Sequence, residues 1–88
     1  MAYALELTQT ARAKIAALQK KNNVAFVAVG KKVNQVLENP YRFKPLKAPL
    51  QGLWRVHIDS SFILLYSIDE SRKTVVVQNY AHHDEAYR

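Results

Sequence analysis

The chain opens with alternating positions: Tyr3, Leu5 and Leu7 fall on one side of residues 3–7, Ala4 and Glu6 on the other. That period of two predicts a short strand. The rhythm then changes to helical spacing, with Ala11, Ile15 and Leu18 on one face and Thr8 or Thr10 placed to cap the helix. Lys20-Lys21-Asn22-Asn23 reads as the turn between two helices. The second helix is expected from about Val24, with Phe26, Val29, Val33, Val36 and Leu37 on its apolar face. Asn39-Pro40 ends it, because proline biases the residue before it away from helical geometry. Pro40, Pro45 and Pro49 make residues 40–50 an irregular, partly rigid loop, after which Gly52 opens the second half.

There the alternation sharpens. Trp54, Val56 and Ile58 face one way, Arg55, His57 and Asp59 the other. Ser60-Ser61 turns the chain into residues 62–68, an apolar run that fits a central strand buried on both faces. Residues 69–73 form a second hairpin loop, residues 74 to about 81 the last strand, and residues 82–88 a short polar tail. The order is β-α-α-β-β-β. It predicts an α+β fold with both helices on one face of a mostly antiparallel, four-stranded sheet. No repeat or boundary interrupts it, so residues 1–88 are expected to be one domain.

Composition narrows the function classes. Hydrophobic residues make up 49% and charged residues 23% of the 88, a globular balance that argues against disorder. The absence of cysteine excludes a disulfide framework, a zinc-thiolate site and a cysteine nucleophile. The longest apolar runs, 24–29 and 62–66, are far short of the ~18 residues of a membrane span. Glu6, Thr8, Gln9 and Arg12 interrupt any signal-peptide pattern at the start. The expectation is a complete, soluble, cytoplasmic domain with no membrane association.

Charge points further. The formal net charge is +6, and its distribution is uneven. Between Arg12 and Arg55 stand ten basic residues and a single acid, Glu38; from Asp59 onward five acids face three bases. Such a block attracts polyanions, of which nucleic acid is the commonest in a cell. Lys14, Lys20, Lys21, Lys31 and Lys32 fit the wet faces of helices. Arg42, Lys44, Lys47 and Arg55 fall in a loop and a strand, where helix solvation does not account for them.

Arg55 and His57 lie two residues apart on one strand face, about 6.5 to 7 Å along the strand, close enough for one phosphodiester to touch both. Arginine offers a planar fork to phosphate oxygens, and histidine gives or takes a proton near neutral pH. An ordinary cross-strand ion pair and a surface imidazole beside Asp59 would leave the same pattern. His82-His83-Asp84 invites a metal reading, but adjacent strand residues point to opposite faces and no further ligand stands at a recognisable spacing, so no metal is expected. Ser60-Ser61 is turn chemistry. No glycine-rich phosphate loop is present. Trp54, Phe62, Tyr66 and Tyr80 read as core, whereas Tyr87, in the polar tail, is placed to stack on a base.

The element order, the run PLKAPLQGLWRVHIDSSFILLYSID and the terminal AHHDEAY resemble the RelE/ParE superfamily of bacterial and archaeal toxins over essentially the whole chain. Members typically carry a leucine-glycine-aromatic-arginine stretch, a central strand ending in tyrosine and a histidine- and tyrosine-bearing tail. Leu50, Gly52, Trp54, Arg55, Tyr66 and Tyr87 occupy those places. The RelE/YafQ-like mRNA interferases are the most similar branch, through the PLQGxW run and residues 62–66. His57 and His83 fall where that branch uses histidines. The chain departs from the pattern at His83 and Ile63, where arginines are common, and at Ala48 and Ser61, where the branch has a histidine and an acid.

The resemblance implies a toxin of a type II toxin–antitoxin system, a ribosome-dependent mRNA endonuclease inhibited by a cognate antitoxin. Its reaction would be metal-independent attack of a 2′-OH on the adjacent phosphate, with no cofactor. In that scheme His83 is the general acid, His57 the base or a phosphate ligand, Arg55 the stabiliser of phosphate charge, and Tyr87 the residue that stacks on or orients a base. Arg42, Lys44, Lys47 and His82 would contact RNA, with ribosome and mRNA as partners beside the antitoxin. The alternatives are a ParE-like protein that inhibits DNA gyrase without cleaving RNA, or a catalytically decayed interaction module. A pure gyrase binder would not need the His57/His83 pair.

Overall fold

Thr8 and Asn22 set the helical half of the molecule. The computed structural model describes residues 2–86. The Thr8 hydroxyl accepts from the Ala11 N–H at 3.1 Å and starts α1 (Gln9–Lys21). Asn22 serves both helices: its N–H closes α1 on the Leu18 carbonyl at 2.8 Å, and its side chain accepts from the Ala25 N–H at 3.1 Å to start α2 (Asn23–Glu38). The four-residue turn expected between the helices thus contracts to Asn22, because one asparagine satisfies orphan groups of both. Lys20 and Lys21 in the last turn of α1 complement the negative end of its dipole.

The strands are β1 (Ala4–Leu7), β2 (Lys44–Pro45), β3 (Trp54–His57), β4 (Phe62–Asp69) and β5 (Thr74–His82); short 3-10 turns lie at Pro40–Arg42 and Glu70–Arg72, and a single helical turn, α3 (His83–Ala86), follows β5. They form one sheet in the order β1-β5-β4-β3-β2, antiparallel except for the parallel pair β1–β5. The α+β arrangement matches the sequence expectation, with five strands in place of four. The extra strand is Lys44–Pro45, which pairs with Arg55 and Trp54. Proline cannot donate to a ladder, which suits it to an outer strand such as this one. At Gly52 the chain adopts a φ of +93°, open to glycine and strained for other residues, and so swings into β3.

Val56, Ile58, Leu64, Tyr66, Val75, Val77 and Tyr80 pack with Ala11, Val29 and Val36 under the helices, and Trp54 joins them. The Tyr66 hydroxyl, fully buried, donates to the Pro40 carbonyl at 2.7 Å and anchors the end of α2 to the central strand. A buried bond of this kind contributes about 1 kcal/mol. The opposite face is not bare. Ile63, Leu65 and Ala81 form a second buried cluster, with Leu46 of the proline loop packed against it. Loop and strand thus bury β4 on both faces, as its continuous apolar run requires.

One irregularity interrupts the β4–β5 ladder. Leu65 pairs with Asn79 but Tyr66 pairs with Val77, so Gln78 is an extra residue in β5. At the far end of this hairpin Glu70 accepts from the hydroxyls of Tyr3 and Tyr41 and pairs with Lys73, while Arg72 bridges Asp69 at 2.7 Å and Glu6 at 3.2 Å. These contacts join β1, the turn after α2 and the β4–β5 connection. Lys73 and Tyr41 hold the Glu70 carboxyl down at about 2, and Arg72, with Ser71, holds Asp69 down at about 2. Among the described residues, no helix is long and apolar enough to cross a membrane.

Candidate nucleic-acid interface

β2 is only two residues long, and β3 runs on beyond it. A groove of about 590 Å³ opens at that edge, with Val56 and His57 on one side and Arg42 and Phe43 on the other. Lys44 and Arg55 border it, and Lys32 reaches it from α2. Four cations and an imidazole line the groove and, among the described residues, no carboxylate does. Lys44 and Arg55 stand directly opposite each other in the β2–β3 ladder, an arrangement of like charges that disfavours itself. Arg42 lies over the Phe43 ring at 5.8 Å, and Trp54 is held edge-on by Tyr41 and stacked on Tyr66, which fixes the start of β3.

The second concentration of chemistry lies at the end of β5. The chain changes from strand to helix between His82 and His83, so the two imidazoles do not diverge as expected; their centroids are 4.5 Å apart. His82 meets the Phe62 ring edge-on at 5.5 Å, and its Nδ1 accepts from the Asp84 N–H at 3.2 Å. His83 Nδ1 stands 3.0 Å from an Asp84 carboxylate oxygen. The His83 N–H donates to the Ser61 carbonyl at 2.8 Å and ties this end to the β3–β4 turn. That turn is held by Asp59, which accepts from the N–H groups of Ser61 and Phe62, both at 2.8 Å; these bonds keep its carboxyl below the ordinary carboxylate value.

The ladder relates the two clusters. His57 pairs with Ile63, and Ile63 with Ala81, two residues before His83. With about 4.8 Å per strand and about 3.3 Å per residue, the Cα atoms of His57 and His83 stand roughly 12 Å apart, across a floor of Ile63 and Ala81. Of the residues singled out from sequence, Arg42, Lys44, Arg55 and His57 share the groove, while His82 and His83 share the end of β5. Lys47 is exposed in the proline loop and does not line the groove. Tyr87 lies outside the described residues. Lys32 was missed, because lysines on an amphipathic helix read as solvated. The signal was its spacing: three residues after Val29 and four before Val36, both buried, it shares their face and is itself half-buried.

A different surface lies at the other edge of the sheet. Ala4 donates to the Lys73 carbonyl, just before β5, and Thr8 to the Val77 carbonyl within it, so by alternation the amides of Leu5 and Leu7 face outward from β1. Beside this edge is an apolar groove of about 230 Å³ between β1, α1 and α2, where Leu5 and Val27 are 45% and 46% exposed.

Comparison with known proteins gives a consistent family assignment. The sequence profile described as "ParE toxin of type II toxin-antitoxin system, parDE" matches residues 5–87. A protein of Methanosarcina mazei, itself uncharacterized, is 42% identical over 97% of this chain and 99% of its own length. A protein of Methanocaldococcus jannaschii, provisionally named as a RelE toxin, is 35% identical over 98% of this chain and 92% of its own. Among solved structures, the RelBE2 toxin–antitoxin complex of Mycobacterium tuberculosis contains a chain that superposes with a TM-score of 0.79 at 28% identity. That match covers 94% of this chain and all of that one.

Proposed function

Because the chain belongs to the ParE toxin family of type II toxin–antitoxin systems, we propose that it is an mRNA interferase that cleaves message on the ribosome. The observation that carries this reading is the cross-strand pair Lys44 and Arg55, flanked by Arg42, Lys32 and His57 in a groove that no described carboxylate lines. RNA phosphates neutralise that arrangement. In the reaction the 2′-OH attacks the adjacent phosphorus, a bond to the 2′-oxygen forms and the bond to the 5′-oxygen breaks, leaving a 2′,3′-cyclic phosphate. His57 takes the 2′ proton or holds the phosphate, His83 gives a proton to the leaving 5′-oxygen, and Arg55 offsets the charge building on the phosphate. His82 and Lys47 contact the RNA beyond the cleaved bond, and Tyr87 stacks on a base.

The partner that inhibits it is an antitoxin, as in the complex from which the RelBE2 fold is known. An acidic or amphipathic antitoxin segment would wrap the domain and cover Arg55 and its groove, and a separate apolar stretch of the same partner would lie in the Leu5 and Val27 groove at the other edge.

Reporter mRNA cleavage mapped in cells that express the chain tests the reading. The wild type should arrest growth and leave new 5′ ends. His57→Ala and His83→Ala should each lower cleavage by about 10² to 10⁴ and still bind antitoxin. His82→Ala should lower it far less. The ParE profile match favours one other reading, inhibition of DNA gyrase. DNA damage without mRNA cleavage, with His83→Ala fully toxic, would establish that reading instead.

A further inference from the structure

His82, His83 and Asp84 each offer one ligand atom, and the three atoms lie within 4.8 Å of one another. We propose that this triad is a binding site for a divalent transition-metal ion of the zinc, cobalt or nickel type. The three ligand atoms need only close from at most 4.8 Å to the spacing that such an ion requires. Two ligands about 2.0 to 2.1 Å from a tetrahedral ion stand about 3.3 to 3.4 Å apart. His83 Nδ1 and an Asp84 oxygen are 3.0 Å apart, and His82 Nδ1 and the other Asp84 oxygen 3.6 Å. The imidazoles tilt together with centroids 4.5 Å apart, on the same side of the chain.

The donor set selects the ion. Two imidazoles with one carboxylate suit zinc, cobalt, nickel and copper, whereas magnesium and calcium prefer oxygen throughout. Three protein ligands leave the fourth position to water. Local charge favours a cation too. Asp59 lies near enough to His82 for the two to interact electrostatically, and Glu85 follows Asp84, so this corner is acidic in a chain of net charge +6. The triad is also accessible: the side chains of His82, His83 and Asp84 are 36%, 44% and 68% exposed. Binding needs the Asp84 carboxylate to swing by a fraction of its length and the His82 contact with the Asp84 N–H to open.

An ion here occupies His83. If the proton-donor role given to His83 above holds, the metal switches cleavage off, because an imidazole that ligates through one nitrogen cannot become the imidazolium that gives up a proton near neutral pH. That consequence rests on the proposed function; the site itself does not.

Tag-free protein is titrated with Co²⁺ and Zn²⁺, followed by calorimetry and by cobalt absorption in the visible. One ion per chain is expected, with the intense bands of a tetrahedral site. His82→Ala and Asp84→Asn should each weaken binding by at least about tenfold, the loss that even an outer partner of a metal ligand can carry. His57→Ala should leave it unchanged. Asp84→Asn changes an exposed side chain, so it tests the site without threatening the fold. Absence of binding, or affinity indifferent to both His82→Ala and Asp84→Asn, overturns the proposal. Zn²⁺ is then added to a cleavage assay of the wild type and of Asp84→Asn. A protein that binds Co²⁺ at this triad but cleaves no RNA retains the metal site and loses only the proposed function.

Discussion

The two edges of the sheet are built from the same kind of backbone and are finished in opposite ways. At the β2–β3 edge the chain places Arg42, Lys44, Arg55 and Lys32 around an open groove. At the β1 edge it places Leu5, Phe26, Val27 and Val33 beside outward-facing amides. Charge on an edge discourages another strand from pairing there, while an apolar groove next to unpaired amides invites a protein segment. One edge is therefore suited to a polyanion and the other to a polypeptide, and the order of the strands keeps the two surfaces separate.

The largest effect should come from reversing charge on the basic side. Arg42→Glu with Lys44→Glu is expected to lower RNA affinity by about 10²-fold at low salt. It should also flatten the dependence of log K on log salt by about 0.7 for each single-strand phosphate that the groove no longer neutralises. Lys20→Glu with Lys21→Glu, equal in charge but remote from the groove, should change affinity by much less. Equal weakening in filter-binding titrations would mean a diffuse field, and the contrast between the edges would disappear. The next effect is on the apolar side. Val27→Asp should weaken antitoxin binding about tenfold or more, as expected when a side chain worth roughly 1.5 to 3 kcal/mol of burial becomes charged. RNA cleavage by the free toxin should be unaffected, and a matching fall in cleavage would show that the surfaces are coupled.

The smallest effect concerns pH. Glu70 and Asp69, with ordinary values of 4.5 and 3.8, are both held at about 2 in the fold. A depressed carboxyl stabilises the folded state above its ordinary value, and that contribution fades as pH falls toward about 2. Tyr3, which donates to Glu70, and Arg72, which bridges Asp69 to Glu6, fasten β1, so acid should loosen the apolar edge before the basic one. Amide exchange or NMR line shapes of β1 against β3 would show the order, and Glu70→Gln should flatten the difference. Simultaneous loosening of both strands would contradict it. Exposed pairs contribute little individually, which is why this effect ranks last.

The fold was legible in the sequence wherever one face of an element is buried and the other wet. Trp54, Val56 and Ile58 against Arg55 and His57 is such a case, and the structure places the first set under the helices. The start of α1 was legible too, because Thr8 was one of two residues with the side chain that capping requires, whereas Asn22, which caps α2, was read only as part of the turn. The groove was half legible. Arg42, Lys44, Arg55 and His57 stood out by being outside helices, but their meeting depends on the β2–β3 register, and a two-residue strand containing proline has no periodicity to read. The approach of His82 to His83 was illegible for a related reason. Alternation holds only while the strand continues, and nothing local marks that it stops between them.

Gln78 carries a consequence out of proportion to its size. Val75 and Val77 point into the helical core, and so does Tyr80, three positions further on and not two. The spare residue acts like a single-base insertion in a reading frame: everything downstream is translated onto the other side of the sheet. Ala81 thereby joins Ile63 on the face that bears His57. A strand that kept strict time from Thr74 would deliver Ala81 to the core, Tyr80 to water and the terminal histidines out of phase with Arg55. The side of the protein on which the tail's chemistry appears is thus decided by a count of residues, not by the identity of any one of them.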